Sequence, residues 1–427
     1  MKYLFLILLL PAYVWSEYPL KNGVFDKEKY ESKGHFYLKE HNGRTIFVTP
    51  DGDGFYPIGI NHLNIAERGL KGESTHEKSI LQNMQKWGFN SGGYGTGEAL
   101  IAEGVYYIAN LNIVKHGFYH LNKVQFPDVF SPSFETHVEE VIKKAAKKND
   151  NPKQLIGVVW SDLPSWNIFM SRMLRQTDWV TEIRKLNDET NGKKTYLHFL
   201  KKQYENREED LKSYYNLKEN DLKNLESFDF SKLYLGHPMV MKDDQLFMTK
   251  IAEMYYRLGA KYHKKYFGNI PLLGDRLLLG DHPDGVLKVA SEYVDVISMQ
   301  IGDGYGETME PSFPYPQSTI DHIYKVTKKP ILIADHQISF YTKDYKNTIF
   351  SQAGDEAQAS SETNKFLKAS FSTSFVCGYF RCTYLTKSEP NGRGVKQGIV
   401  DFDRNPYKGI TEAYANQNIK ILELINN

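Results

Sequence analysis

Apolar and polar positions alternate over residues 36–48, with Phe36, Leu38, Ile46 and Val48 on the apolar beats and Asn42-Gly43 between the two runs. Alternation of this kind marks half-buried strands, and Asn-Gly supplies the two left-handed backbone positions of a tight hairpin turn. A β-hairpin is therefore expected. A second turn, Asp51-Gly52-Asp53-Gly54, leads into a strand over 55–62 that ends at Asn61-His62. Beyond it, short apolar runs at 88–91, 105–114, 155–162, 270–276, 294–300, 330–336 and 375–384 read as further strands separated by helical segments. One such helix, 134–148, carries a basic last turn, as the helix dipole favours. Strand and helix in strict alternation predict repeated βα units around a parallel sheet. Eight strands predict an α/β fold, a (β/α)8 TIM barrel, with the hairpin as a cap over its N-terminal end.

Between the fourth and fifth strands lies a charged stretch, about residues 170–245, with mixed-sign runs such as 201–210. Mixed charge at helical spacing predicts solvated helices inserted where the fourth strand ends. The expected division is an export signal over 1–16, an extension and hairpin cap over 17–56, and a catalytic barrel over 57–427. The signal reading rests on Lys2, an apolar run over 3–10 broken by Pro11, and Val14 and Ser16 at the −3 and −1 positions of a cleavage site. It predicts a secreted or periplasmic protein with no membrane association once the signal is removed.

Charge narrows the function classes. Lysine plus arginine number 53 against 52 acidic residues, with no basic block, which argues against nucleic acid as a partner. Aromatic residues make up 14% of the chain, enough for a large core or for platforms under sugar rings. The two cysteines, Cys377 and Cys382, stand an odd number of residues apart on one strand, so their side chains face opposite ways and no disulfide is expected.

In a barrel of this type the chemistry sits where strands end. Polar residues collect there: Asn61 and His62 after strand one, Asn90 on strand two, Trp160-Ser161-Asp162 on strand four, Asp275-Arg276 on strand five, Gln300 on strand six, Asp335-His336 on strand seven, and Tyr379 and Arg381 on strand eight. Asp162 follows a strand buried on both faces and precedes Pro164 and Trp166. A carboxyl against indole rings in a dry pocket would suit a general acid, whereas an N-cap for the next helix is its plain alternative. Asp335 closes an apolar strand, and His336 or Arg276 would keep it ionised as a nucleophile or base. A structural Asp-His hydrogen bond is the alternative there. Strands four and seven, placed across the barrel from each other, would aim both carboxyls into one cleft, as cleavage of a glycosidic bond requires.

Several short motifs carry a family resemblance: Phe36-Tyr37-Leu38 through Thr49-Pro50-Asp51-Gly52, Gly59-Ile60-Asn61-His62, Trp87-Gly88-Phe89-Asn90, Asp128-Val129-Phe130, Gly274-Asp275-Arg276, Val294-Asp295-Val296-Ile297-Ser298, and Gly398-Ile399-Val400-Asp401 with Pro406-Tyr407. Over residues 34–418 the chain resembles agarase-like enzymes of glycoside hydrolase family 50. The resemblance implies a barrel whose acid/base ends strand four and whose nucleophile ends strand seven, both glutamate in that family. Here Ser161-Asp162 and Asp335 stand at those places. Each shorter side chain withdraws its carboxyl by about 1.5 Å, and the wider gap would favour the inverting arrangement. The likeness further implies that Asn61, His62, Asn90, Asp275, Arg276 and Gln300 meet sugar hydroxyls and that Trp160, Trp166 and Tyr379 stack on sugar faces. Arg276, Arg381 and His336 would meet an anionic sugar. The expected partner is a galactan-type poly- or oligosaccharide, with no cofactor and no metal. Two other readings stay open: a non-catalytic carbohydrate-binding barrel, and a metal-dependent hydrolase using His62, His282, His336 and Asp335.

Overall fold

The computed structural model describes residues 24–64, 75–114, 126–162, 166–175, 177–230, 237–279, 282–302, 312–343, 352–388 and 394–426. The export segment expected at 1–16 lies outside them, as does Pro164.

Strands β1 (Val24–Lys29), β2 (Tyr37–His41), β3 (Arg44–Val48) and β4 (Asp53–Phe55) form an antiparallel sheet in the order β1-β4-β3-β2. Asn42 (φ 48°) and Gly43 (φ 71°) make the β2–β3 turn with both central residues left-handed, as their types allow. The cap is thus a four-stranded sheet built on the expected hairpin. Its Phe36, Phe47 and Phe55 pack into one cluster with Ile156, Leu273, Val296, Leu332 and Cys377 from the barrel interior. Arg44 donates to the carbonyl of Thr373, just before the last barrel strand, which seats the sheet on the N-terminal end.

The barrel strands are β5 (Ile58–Ile60), β6 (Ser91–Gly92), β7 (Tyr106–Asn110), β8 (Leu155–Asp162), β9 (Leu272–Leu278), β10 (Ile297–Ile301), β11 (Ile331–His336) and, after the two-residue strands β12 (Ser339–Phe340) and β13 (Gln352–Ala353), β14 (Val376–Arg381). All eight are parallel and close on themselves, β14 pairing with β5. Two expected strands are cut differently. The run 55–62 divides at Pro57, which has no N–H for the ladder, so Phe55 belongs to the cap and Ile58 to the barrel. The run 88–91 opens on left-handed Gly88 (φ 75°) at the end of a turn, and the strand begins only at Ser91. Asn90 therefore precedes β6 and does not end it.

The ladder slips where the chemistry was expected. On β8, Val159 pairs with Gly274 but Asp162 with Arg276, leaving an extra residue on β8. On β11, the pairing with β14 shifts between Ile333 and His336. Such bulges re-aim side chains near active sites. Trp160 and Ser161 both turn outward to the helix Pro238–Tyr266, Trp160 against the ring of Tyr256 and Ser161 onto the hydroxyl of Tyr255, so that Asp162 turns inward. On β11 the slip turns Asp335 inward and sends His336 out.

The charged stretch after β8 folds as short helices from Ile168–Arg175 to Glu219–Lys223, packed against Pro238–Tyr266. Its surface carries pairs such as Lys201–Glu226, but its centre corrects the expectation of solvated helices. Asp244 is fully buried and paired with Arg172 and Arg184, while Asp243 accepts hydrogen bonds from Tyr204 (2.6 Å) and Tyr215 (2.9 Å). Cys377 and Cys382 are buried and not joined by a disulfide, as their odd spacing on one strand predicts. Among the described residues no helix is long and apolar enough to cross a membrane.

Candidate active site

Asp162 and Asp335 share one arginine. Arg276, only 2% exposed, places Nη2 2.7 Å from Asp162 Oδ1 and Nη1 3.6 Å from Asp335 Oδ2. Strands four and seven are three apart around the eight-stranded barrel, not diametrically opposed, and β9 between them carries the bridging arginine. A guanidinium is small, so the nearest oxygens of the two carboxylates lie within about 9 Å of each other. The guanidinium also lies 3.5 Å from the centre of the Tyr94 ring. Burial alone would lower the Arg276 pKa, but Asp162, Tyr94 and Asp335 beside it outweigh that and push it up.

Asp335 is deeply held. Tyr94 donates its hydroxyl to Oδ2, and Asn61 Nδ2 donates to the Ala334 carbonyl (2.8 Å) and to Asp335 Oδ1 (3.3 Å). Burial drives the Tyr94 pKa well above its ordinary value, with Asp335 adding to the rise against Arg276, so the phenol keeps its proton. Gly93 is required for this contact, since a Cβ there would fall 1.8 Å from Asn61 Oδ1. Gln300 pairs with Asp335 in the ladder and is buried. His62, left-handed at φ 57° and half-buried, sets its ring edge-on to Tyr94 at 4.6 Å. Asp162 keeps 26% of its side chain exposed, which makes it the carboxylate that meets the solvent side. Its immediate neighbour is the arginine, in place of the expected indole.

Tyr94 escaped the sequence reading. Its signal is Gly92-Gly93-Tyr94-Gly95, a lone aromatic in a run of small residues just past a barrel strand. Tyr94→Phe removes a hydrogen bond to a buried charge, an interaction of about 1.5–3 kcal/mol. Turnover of the Tyr94→Phe variant is therefore expected to fall by about 10- to 100-fold, with the melting temperature changing by a few degrees at most, measured as kcat and by calorimetry.

Other expected contacts lie elsewhere. Asn90 accepts from the Ile58 N–H (2.8 Å) and donates to the Tyr56 carbonyl (2.9 Å), fastening the N-terminal end of β5. Trp160 and Trp166 are fully buried, and Trp166 stacks on Trp179 at 5.0 Å. These rings, with Tyr255 and Tyr256, cement the barrel wall to the long helix and offer no platform. Tyr379 is fully buried, hydrogen-bonded to Tyr414 (3.0 Å) and to His336 Nδ1 (2.8 Å). His336 gives its Nε2–H to the Ser312 carbonyl, and burial pulls its pKa down to about 3, so it is a neutral strut facing away from Asp335. Arg381 is buried, bonded to the Gln337 side chain (3.3 Å) and the Gln397 carbonyl (2.9 Å). With Arg276 committed to two aspartates, the expected pocket for an anionic sugar is not assembled. The rival metal set is not gathered either, since His336 turns away, and among the described residues no group of three or more metal-binding side chains converges.

Asp275 points outward from β9. Its Oδ1 accepts from the Ser161 N–H (3.1 Å) and the Tyr255 hydroxyl (2.8 Å). Burial raises its pKa to about 7 despite those donors. The sign follows: between about pH 4 and 7 the unfolded chain has released this proton while the folded one keeps it, so rising pH costs stability. Asp275→Asn should remove that slope, gaining up to about 4 kcal/mol over the parent at pH 8 and little at pH 4. Urea denaturation of both proteins at the two pH values reads this directly. An equal stability difference at both would refute it.

No family model matches the chain, and no curated protein matches it by sequence. Among solved structures it is similar to an exo-β-agarase (16% identity, TM-score 0.75, covering 92% of this chain and 66% of that one). It is similar to the agarase AgWH50C (14%, 0.77, 96% and 68%) and to PfGH50B (17%, 0.76, 95% and 68%). The chain thus spans about two thirds of the length of each, and the likeness covers nearly all of its own fold.

Proposed function

We propose that this protein is an exported glycoside hydrolase acting on a galactan-type poly- or oligosaccharide, with Asp162 as general acid/base and Asp335 as nucleophile or base. The observation that carries the reading is the pair of carboxylates, from the fourth and seventh strands, joined by one buried arginine at the C-terminal rim. The similar folds that are named as agarases support the substrate class, and the apolar run at the N-terminus supports export.

The division of labour follows from the surroundings. Asp335 has a cation on one side and two hydrogen-bond donors on the other, which favours a standing negative charge suited to attack on a sugar carbon or on water. Asp162 is the more open of the two and can approach a leaving-group oxygen. Asn61 and Gln300 line the wall beside Asp335, and His62 stands at the mouth, where its ring can meet a sugar hydroxyl.

The test is to incubate the secreted protein with agar, porphyran and carrageenan oligosaccharides and follow the products by proton NMR. Cleavage of at least one galactan is expected, with the first-formed anomer inverted because two short carboxyls leave room for a water. Retention of configuration would overturn the stereochemical part. Binding without cleavage would replace the enzyme with a carbohydrate-binding barrel.

A further inference from the structure

A carboxylate outside the cleft holds the cleft's geometry. We propose that Asp275 is a positioning residue for the reaction: it sits behind the barrel wall and, through the Ser161 backbone, fixes the β8 bulge that turns Asp162 onto Arg276. The inference rests on the proposed hydrolase reading for its catalytic meaning, but its structural core does not.

Three observations carry it. First, Ser161 lies inside the β8 slip between Val159 and Asp162, and Asp275 Oδ1 accepts its N–H at 3.1 Å. A side chain from the neighbouring strand thereby accepts a backbone N–H inside the slip that precedes Asp162. Second, the same oxygen accepts the Tyr255 hydroxyl at 2.8 Å, and that hydroxyl lies 2.9 Å from Ser161 Oγ, which in turn accepts the Val114 N–H at 3.3 Å. The network ties β8, β9, the loop after the third barrel strand and the helix Pro238–Tyr266 to one point, so the bulge has little freedom to relax. Third, Asp275 and Ser161 each directly adjoin a member of the charged cluster, Arg276 and Asp162, which themselves pair at 2.7 Å. The outward pair and the inward pair are two faces of the same two dipeptides. Shifting the outward pair necessarily rotates the inward one.

Nothing in this network needs Asp275 for the fold's core alone. A carboxylate buried this fully is a poor choice for packing. Its use lies in placing an acceptor where the bulge needs one.

The test uses Asp275→Ala and Asp275→Asn in the full chain. Alanine removes the acceptor, whereas asparagine retains it. With the best galactan oligosaccharide from the panel, kcat of Asp275→Ala is expected to drop by about 30-fold or more with KM within about threefold, because misplacement by about an ångström suffices for such a loss. Asp275→Asn is expected to return to within about threefold of the parent. Crystal structures give a readout independent of turnover: the contact between Asp162 Oδ1 and Arg276 Nη2 opens beyond hydrogen-bond reach in Asp275→Ala and stays closed in Asp275→Asn. An unchanged contact in the alanine variant, or equal kcat in parent and alanine variant, overturns the inference. Should Asp275→Ala not fold, Tyr255→Phe removes the hydroxyl that braces Asp275. A loss of about fivefold in kcat at constant KM is then expected, and no loss overturns it. If the parent cleaves no galactan, the functional reading fails on that result alone, and the crystallographic contact still decides the positioning role.

Discussion

Asp335→Asn is expected to lose at least about a thousandfold in kcat while its affinity for an oligosaccharide changes by no more than about threefold. The size of the loss follows from the role. A nucleophile or base acts in the transition state, and an amide of the same shape offers neither a charge nor an accessible lone pair of comparable basicity. The small change in affinity follows from the surroundings. Asn61 can still donate to the side-chain oxygen, Arg276 keeps its shorter contact with Asp162 at 2.7 Å, and a residue 2% exposed presents little surface to ligand. Isothermal titration with the cleaved oligosaccharide, together with kcat, separates the two quantities. Asp162→Asn forms the natural contrast, because protonation of the leaving group matters less when the leaving group is already good. On an aryl glycoside it should lose far less than Asp335→Asn, and on an oligosaccharide a similar amount. Turnover by Asp335→Asn within tenfold of the parent would remove Asp335 from the chemistry.

How much of this was legible beforehand differs between scaffold and site. The scaffold was: eight apolar runs separated by helical segments became eight parallel strands, and Asn42-Gly43 formed the turn its residue types demand. Such signals are local and repeat along the chain. Ends of strands were less legible, since Pro57 and Gly88 break runs whose hydrophobicity continues across them. The site was legible as a list of polar residues at strand ends, but not as a set of directions. Simple alternation from Leu332 and Ala334, both packed in the barrel interior, would send Asp335 outward and His336 inward. The slip between β11 and β14 reverses both. Two slips on β8 carry Trp160 outward and return Asp162 to the inward side. Bulges depend on pairing between strands distant in sequence, so the pattern within one strand cannot announce them. The same limit hid the aromatic wall. Trp160, Trp166 and Tyr379 were sensible platforms by residue type, yet each found a long-range partner on a helix. The insertion was misread for a related reason: mixed charge looks solvated until Asp244 meets Arg172 and Arg184 from other helices in its interior.

Arg276→Met should be the most destabilising single change in the cleft, by about 3–5 kcal/mol at neutral pH. Methionine fills much of the volume, so the cost is electrostatic. Asp162 can turn toward water, being 26% exposed, whereas Asp335 at 2% cannot, and it would be left as a buried charge without its arginine, though Tyr94 and Asn61 still donate to it. Two consequences distinguish this from a packing defect. A carboxylate deprived of its cation has its folded-state pKa raised, so the variant binds a proton more readily than the unfolded chain and its deficit should shrink as pH falls toward 4. Adding Asp335→Asn removes the stranded charge, and the double variant should recover about 2 kcal/mol relative to Arg276→Met, a coupling that residues without contact do not show. Urea unfolding of the four proteins of this cycle at pH 7.5 and 4.5 measures both. Additive losses at both pH values would mean that the arginine is a spacer between the carboxylates and not the charge that keeps them together.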